Sequence, residues 1–146
     1  GIFHFQKCKQ AKNFQNAFRL RSIKLSQHCR PSFAYYLVEV FKQKKQSVAF
    51  VEDLLKPLTV ISDRAVGQSL ANDSGLMDSI LEMSKLQFVG FQEMILAEFK
   101  EMWKKGLDSN TFALKLCGAG GGGFYLAIGD SEDIENNFDG IALRLF

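Results

Sequence analysis

Three cysteines, two histidines and two prolines in 146 residues leave several chemistries without their raw material. Cys8, Cys29 and Cys117 are odd in number, so they cannot all pair internally, and no C-x-x-C spacing offers a metal or dithiol motif. Such thiols suit a reducing, cytoplasmic setting. His4 and His28 are isolated, with no carboxylate motif nearby, which gives no metal-ligand spacing and makes each an expected surface histidine. An excess of either charge is nearly absent: the formal net charge is +2, too little to suggest a nucleic-acid partner. The densest basic stretch, Lys42 to Lys45, reads as the solvated end of a helix. No apolar run approaches the roughly 20 residues that cross a bilayer, so no membrane span is expected. The chain opens Gly1-Ile2-Phe3-His4-Phe5 with neither an initiating methionine nor an apolar signal core. From this we expect a piece of a larger protein.

What is present describes one globular domain with an unusual filling. Hydrophobic residues make up 47% of the chain and charged residues 23%, and a chain of this length can bury most of its apolar surface. Fourteen phenylalanines predict a core packed with aromatic rings, or an apolar interface.

In the N-terminal stretch, Ser22 to Leu25 is the best strand candidate. Pro31 fits the first turn of a helix running from about Ser32 to Lys44, with Phe33, Tyr36, Leu37, Val40 and Phe41 on its apolar face. A second helical run starts near Ser47, with Val48, Val51, Leu54, Leu55, Leu58 and Ile61, and Pro57 is expected to break or kink it. It ends in the turn cluster Asn72-Asp73-Ser74-Gly75. Two apolar stripes then predict one long helix from Leu76 to Phe99, buried on more than one side, and Gly106 is expected to cap the segment around Trp103. After it come a strand at Thr111 to Leu116, a glycine run, a strand at Phe124 to Ile128, a short acidic helix at Ser131 to Asn137 and a last strand at Ile141 to Phe146. Helices followed by a strand-rich end argue for an α+β domain, helices on one face of a small antiparallel sheet.

The glycine run is the chemically informative segment. Gly118, Gly120, Gly121, Gly122 and Gly123, with only Ala119 among them, leave a backbone almost free of Cβ atoms. Such a loop reaches conformations closed to other residues, lets a ligand approach closely, and costs more ordering entropy than any other composition. Its successive N–H groups can form a concave anion-binding nest, and phosphate is the usual guest. The dinucleotide fingerprint G-x-G-x-x-G is satisfied by Gly118, Gly120 and Gly123, but it requires a helix directly afterwards, whereas Phe124-Tyr125-Leu126-Ala127-Ile128 reads as a strand. The nucleoside-triphosphate P-loop ends G-K-[ST]; this run ends Gly123-Phe124-Tyr125. A flexible hairpin without a ligand remains the plain alternative.

The unit Lys115-Leu116-Cys117-Gly118-Ala119-Gly120-Gly121-Gly122-Gly123-Phe124 resembles the third sequence motif of the GHMP kinases, usually K-L-T-G-A-G-G-G-G-C. It departs at Cys117, in place of threonine, and at Phe124, in place of cysteine. Upstream, Ser84-Lys85-Leu86-Gln87, Phe91, Met94-Ile95 and Trp103 through Gly106-Leu107 look like the helical stretch before that motif in bacterial mevalonate-kinase-like members. The likeness covers residues 50–146; residues 1–49 carry little of it.

The resemblance implies the C-terminal, ferredoxin-like two-layer sandwich of a two-domain kinase. It also implies transfer of the ATP γ-phosphoryl group, with Mg2+, to a small alcohol, mevalonate foremost. Gly118, Ala119, Gly120, Gly121, Gly122 and Gly123 would then line the cleft facing the N-terminal kinase domain, flanked by Lys115 and Cys117. The family's phosphate-binding motif P-x-x-x-G-L-x-S-S, and the aspartate and lysine it uses near the transferred group, are absent. The chain alone is therefore expected to be inert. The rival reading is a stand-alone ferredoxin-like domain that binds an anion or meets a partner.

Of the flanking residues, Cys117 withdraws the hydroxyl of the family's threonine, is expected to be a core cysteine, and is otherwise a candidate reactive thiol. Lys115 alternates away from Leu114 and Leu116, towards solvent or towards the cleft. Ser84 and Gln87 are expected as a buried, hydrogen-bonded pair, and Asp130, Glu132 and Asp133 as a helix-start cluster complementing the dipole.

Overall fold

Alternation puts Phe112, Leu114 and Leu116 on one face of the strand that leads into the glycine run, and that face carries the core. The computed structural model describes residues 19–24, 31–117, 124–138 and 142–144. Four strands form one antiparallel sheet: β1 (Arg19–Lys24), β2 (Phe112–Leu116), β3 (Phe124–Gly129) and β4 (Ala142–Arg144). Their order is β2-β3-β1-β4, so the earliest strand is inserted between two late ones. Between β1 and β2 come α1 (Pro31–Lys44), α2 (Val48–Phe50), α3 (Lys56–Ala71), α4 (Leu76–Gly90) and α5 (Ala97–Ser109), while α6 (Ser131–Asn137) separates β3 from β4. The class is α+β, as expected. Of the expected first and last strands, Leu25, Ile141, Leu145 and Phe146 lie outside the described residues, as do Cys8, Cys29, His4 and His28.

By register Leu116 faces Tyr125 and Leu114 faces Ala127, and all four join Phe112 in the main core beneath the helices. Aromatic rings fill it. Phe99 stacks on Tyr125 with centroids 4.7 Å apart, Trp103 meets Tyr125 edge-on at 5.9 Å, and Phe138 of the α6 end meets Phe112 edge-on at 5.8 Å. Each such pair contributes about 0.5–1.5 kcal/mol beyond its burial. A satellite cluster of Ile61, Ala65, Leu76 and Met83 joins α3 to α4. There Arg64 Nε donates to Ser79 Oγ at 2.9 Å, Ser79 donates to Gln68 Oε1 at 2.6 Å, and Arg64 pairs with Glu82. Among the described residues, no helix is long and apolar enough to cross a membrane.

The helical layer departs from the periodicity pattern at three places. The helix expected from Leu76 to Phe99 is two helices, parted by a 3-10 turn at Gln92–Met94. A Cβ on Gly90 would lie 2.0 Å from Leu54 Cδ2, so α4 ends on a close approach. Gln92 Nε2 donates to the Phe88 carbonyl beside the break, as orphaned helix-end carbonyls require. Met94 and Ile95 stay buried, which is why both apolar stripes run through the break unbroken.

Pro57 interrupts its helical run, as expected, without ending it. It lies in the first turn of α3, after a π-helical turn at Val51–Leu55 in which Lys56 N–H reaches back to the Val51 carbonyl. The wider turn accommodates the ring and the missing donor. Gly106 is not a cap. It is buried inside α5, where a Cβ would come within 2.6 Å of the Phe112 carbonyl oxygen. The cap is Asn110, left-handed at φ 57°, whose N–H returns to the Gly106 carbonyl at 3.0 Å. Finally, Tyr36 is 56% exposed, while Leu37 is buried; among the described residues α1 meets the core through Leu37 and Phe41, too narrow a contact to cover the wider face that the spacing predicts.

Candidate functional site

The seven residues from Cys117 to Gly123 connect β2 to β3, where about two to five suffice to close a hairpin. The turn does not need this length, and it does not need a connection made of glycine. The expected cleft residues Gly118, Ala119, Gly120, Gly121, Gly122 and Gly123 lie outside the described residues. Their frame lies within them: Leu116 opposite Tyr125, with Phe124 opposite Lys24 on the inner side.

Two side-chain hydrogen bonds tie this frame to the helices. β2 is an edge strand, and alternate N–H groups of an edge strand face outward without a strand partner. The outward N–H of Leu116 donates to Gln87 Oε1 of α4 at 3.0 Å. Across the pair, the Tyr125 hydroxyl accepts the N–H of Leu96, the residue before α5, at 3.1 Å. Burial pushes the Tyr125 hydroxyl pKa up, against the opposing Leu96 bond and with a smaller push from the Glu98 charge. The phenol therefore keeps its proton at neutral pH and acts as a fixed prop.

Ser84 and Gln87 are both buried, as expected, but they do not bond to each other. Trp103 Nε1 donates to Ser84 Oγ at 2.7 Å, which locks α4 to α5, while Gln87 serves the strand end. Lys115 is half-buried on the sheet face opposite Leu114 and Leu116, and its Nζ donates to the Leu116 carbonyl at 3.3 Å. A cation thus sits at the root of the glycine run. Cys117 is not the core cysteine that was expected: it is exposed, with Sγ 4.0 Å from the Lys115 carbonyl. Alternation turns it away from the face that Leu116 buries, just where the strand ends. The acidic cluster lies at the start of α6, as expected, and within it Asp130 is the N-cap, accepting the N–H groups of Glu132 and Asp133 at 2.9 and 3.1 Å. It follows β3 at the end of the strand pair opposite Leu116 and Tyr125. Among the described residues no three His, Cys, Asp or Glu side chains gather as a metal site.

Sequence reasoning underrated two residues of this frame. Gln87 signalled itself as a polar side chain on the apolar stripe of Met83 and Phe91. Tyr125 gave no signal, because an aromatic residue in a strand reads as core. Compared with known proteins, the chain matches no family model and no curated protein.

Proposed function

We propose that this chain is the C-terminal part of a GHMP-type kinase that transfers the ATP γ-phosphoryl group to a hydroxyl of a small molecule, mevalonate being the favoured acceptor. The observation carrying this reading is that the motif Lys115 to Phe124 joins the two strands of a hairpin rooted in the aromatic core. The fold we propose is the ferredoxin-like sandwich. Its support is the order β1, helices, β2, β3, α6, β4, with antiparallel neighbours β2-β3-β1-β4.

Phosphoryl transfer asks a protein for positioning and charge neutralisation more than for covalent chemistry. The backbone N–H groups of Gly118 to Gly123 would cradle phosphate oxygens, and Lys115 adds positive charge at their root. The described residues at this end fit a polyphosphate: a cation is present and the carboxylates lie at the other end. They provide no carboxylate cluster for Mg2+, which in this reading arrives with ATP and finds its protein ligands in the N-terminal kinase domain. That domain also supplies the acceptor site, and without it the chain is inert.

The test is the complete natural protein carrying these residues, assayed for ATP-dependent phosphorylation of mevalonate, homoserine and galactose-like sugars. Gly121→Val is expected to lower kcat/KM at least tenfold, about 1.4 kcal/mol, by crowding the cleft. Unchanged kinetics would remove the site assignment. A complete protein that phosphorylates none of them would leave the ferredoxin-like anion-binding or interaction domain as the reading.

A further inference from the structure

We infer that α3 is a movable arm: it opens from α4 as one unit, pivoting at the π-helical turn Val51–Leu55, while α4 stays docked against β2 and α5. The inference is independent of the kinase reading. By its sequence α3 is a weak helix. Thr59, Val60, Ile61 and Val66 are β-branched and Gly67 lies inside it, residue types that lower helix propensity, so the helix depends on what it packs against. That packing is narrow. α3 lies along α4 and the turn before it. Ile61 and Ala65 are its buried residues and join Leu76 and Met83 in the satellite cluster. Among the described residues, Leu58 in its first turn is the one apolar side chain of α3 that also touches the main core. Its other side leaves Val60, Val66 and Leu70 exposed, and a Cβ on Gly67 would meet nothing within 4 Å.

A pivot and a latch are both present. At the pivot Leu54 is buried in the main core, pressed against Gly90, where a Cβ would meet it at 2.0 Å. The near side of the hinge is therefore fixed. Beyond it the backbone ladder is incomplete, because Lys56 N–H reaches back to the Val51 carbonyl in a π-helical bond and Pro57 has no N–H to give. The latch is polar. Arg64 Nε donates to Ser79 Oγ at 2.9 Å, Ser79 donates to Gln68 Oε1 at 2.6 Å, and Arg64 pairs with Glu82. Ser79 is buried on α4, and α3 supplies both partners of its hydroxyl. Water takes the place of those partners when the helices part, so opening forfeits chiefly the burial of the satellite cluster. α4 has holds of its own: Trp103 donates to Ser84 at 2.7 Å and Leu116 to Gln87 at 3.0 Å. Elements that move are drawn from such regions of low local stability.

The experiment is native-state hydrogen exchange on the complete natural protein, comparing wild type, Ser84→Ala and Arg64→Met. It reads the α3 amides of Ala65, Val66 and Ser69 against Leu126 and Ala127 of β3, a strand with a neighbour on each side. In the wild type the α3 amides are expected to exchange together, with protection at least about tenfold below that of β3. Ser84→Ala weakens the main core and leaves the arm untouched, so it is expected to lower β3 protection about fivefold and α3 protection not at all. Arg64→Met removes the latch and keeps an apolar stem, and α3 protection is expected to fall about fivefold. Equal protection of α3 and β3 in the wild type, an equal fall at both in Ser84→Ala, or unchanged α3 protection in Arg64→Met would overturn the inference. The wild-type comparison decides the matter even where a variant fails to fold.

Discussion

At the open end of the β2–β3 hairpin, Gly129 has φ +147° and a Cβ there would lie 2.3 Å from the Thr111 carbonyl oxygen. Beside it Gly106 presses on Phe112, and Asp130 N–H donates to the Thr111 carbonyl at 2.9 Å. At the closed end, glycines follow Leu116 and Cys117 in a run longer than the turn needs, and Leu116 and Tyr125 are each tied to the helical layer by one side-chain hydrogen bond. The same residue type serves opposite ends differently. Glycine at the open end permits contact between backbones of the same chain, whereas at the closed end it is suited to contact with something else. Substitutions at the first end should therefore be measured in stability, and at the second in activity.

The largest expected effect is Gly129→Ala, which meets both a disfavoured φ and the Thr111 carbonyl. We expect a loss of about 3 kcal/mol, roughly 10 °C in Tm by thermal unfolding. Gly121→Val should move Tm by no more than about 2 °C while it lowers kcat/KM; an equal fall in Tm would erase the contrast between the ends. Tyr125→Phe keeps the ring stack on Phe99 but leaves the Leu96 N–H without its acceptor. A loss of about 1–2 kcal/mol in chemical denaturation is expected, and no loss would mean that the closed end has only the Gln87 tether.

The smallest effect tests the connector that carries Leu96. Lys44 Nζ lies 2.8 Å from Glu93 Oε1, and its hydrogen bond, partly opposed by desolvation, holds the Glu93 carboxyl below its ordinary pKa. A carboxyl depressed in the folded state contributes stability at and above its unfolded value, and that contribution is lost as pH falls through the folded value. Glu93 is 45% exposed, so screening limits the pair to a few tenths of a kcal/mol. Glu93→Gln should shift Tm barely at pH 7 and should lessen the decline of Tm below about pH 4.3. A loss larger than that of Tyr125→Phe would show that the connector, and not the tyrosine, fixes the closed end.

Legibility varied with the range of the interactions. The acidic helix at Ser131 to Asn137 was readable to the residue, since Asp130 caps it with bonds two and three positions away. The hairpin around the glycines was readable from alternation. The break after Gly90 was not, because it depends on Leu54, thirty-six positions earlier, and the apolar stripes cross it. Gly106 looked like a cap and is a packing contact with β2. The parts of the candidate site differ in the same way. Lys115, Cys117 and the glycines announce themselves by composition, but the exposure of Cys117 and the bond from Leu116 to Gln87 depend on where α4 lies.

The sequence by itself determined the α+β class, the aromatic core, the helix α6 and a strand–glycine–strand unit, because propensity, periodicity and capping act over a few residues. Only the tertiary structure decided that β1 lies between β3 and β4, that Gly106 and Gly129 allow close approach at one end, and that Gln87 and Tyr125 brace the other. Those choices depend on which faces meet across long stretches of chain, where a single hydrogen bond or a missing Cβ decides the fit and leaves no local pattern to read.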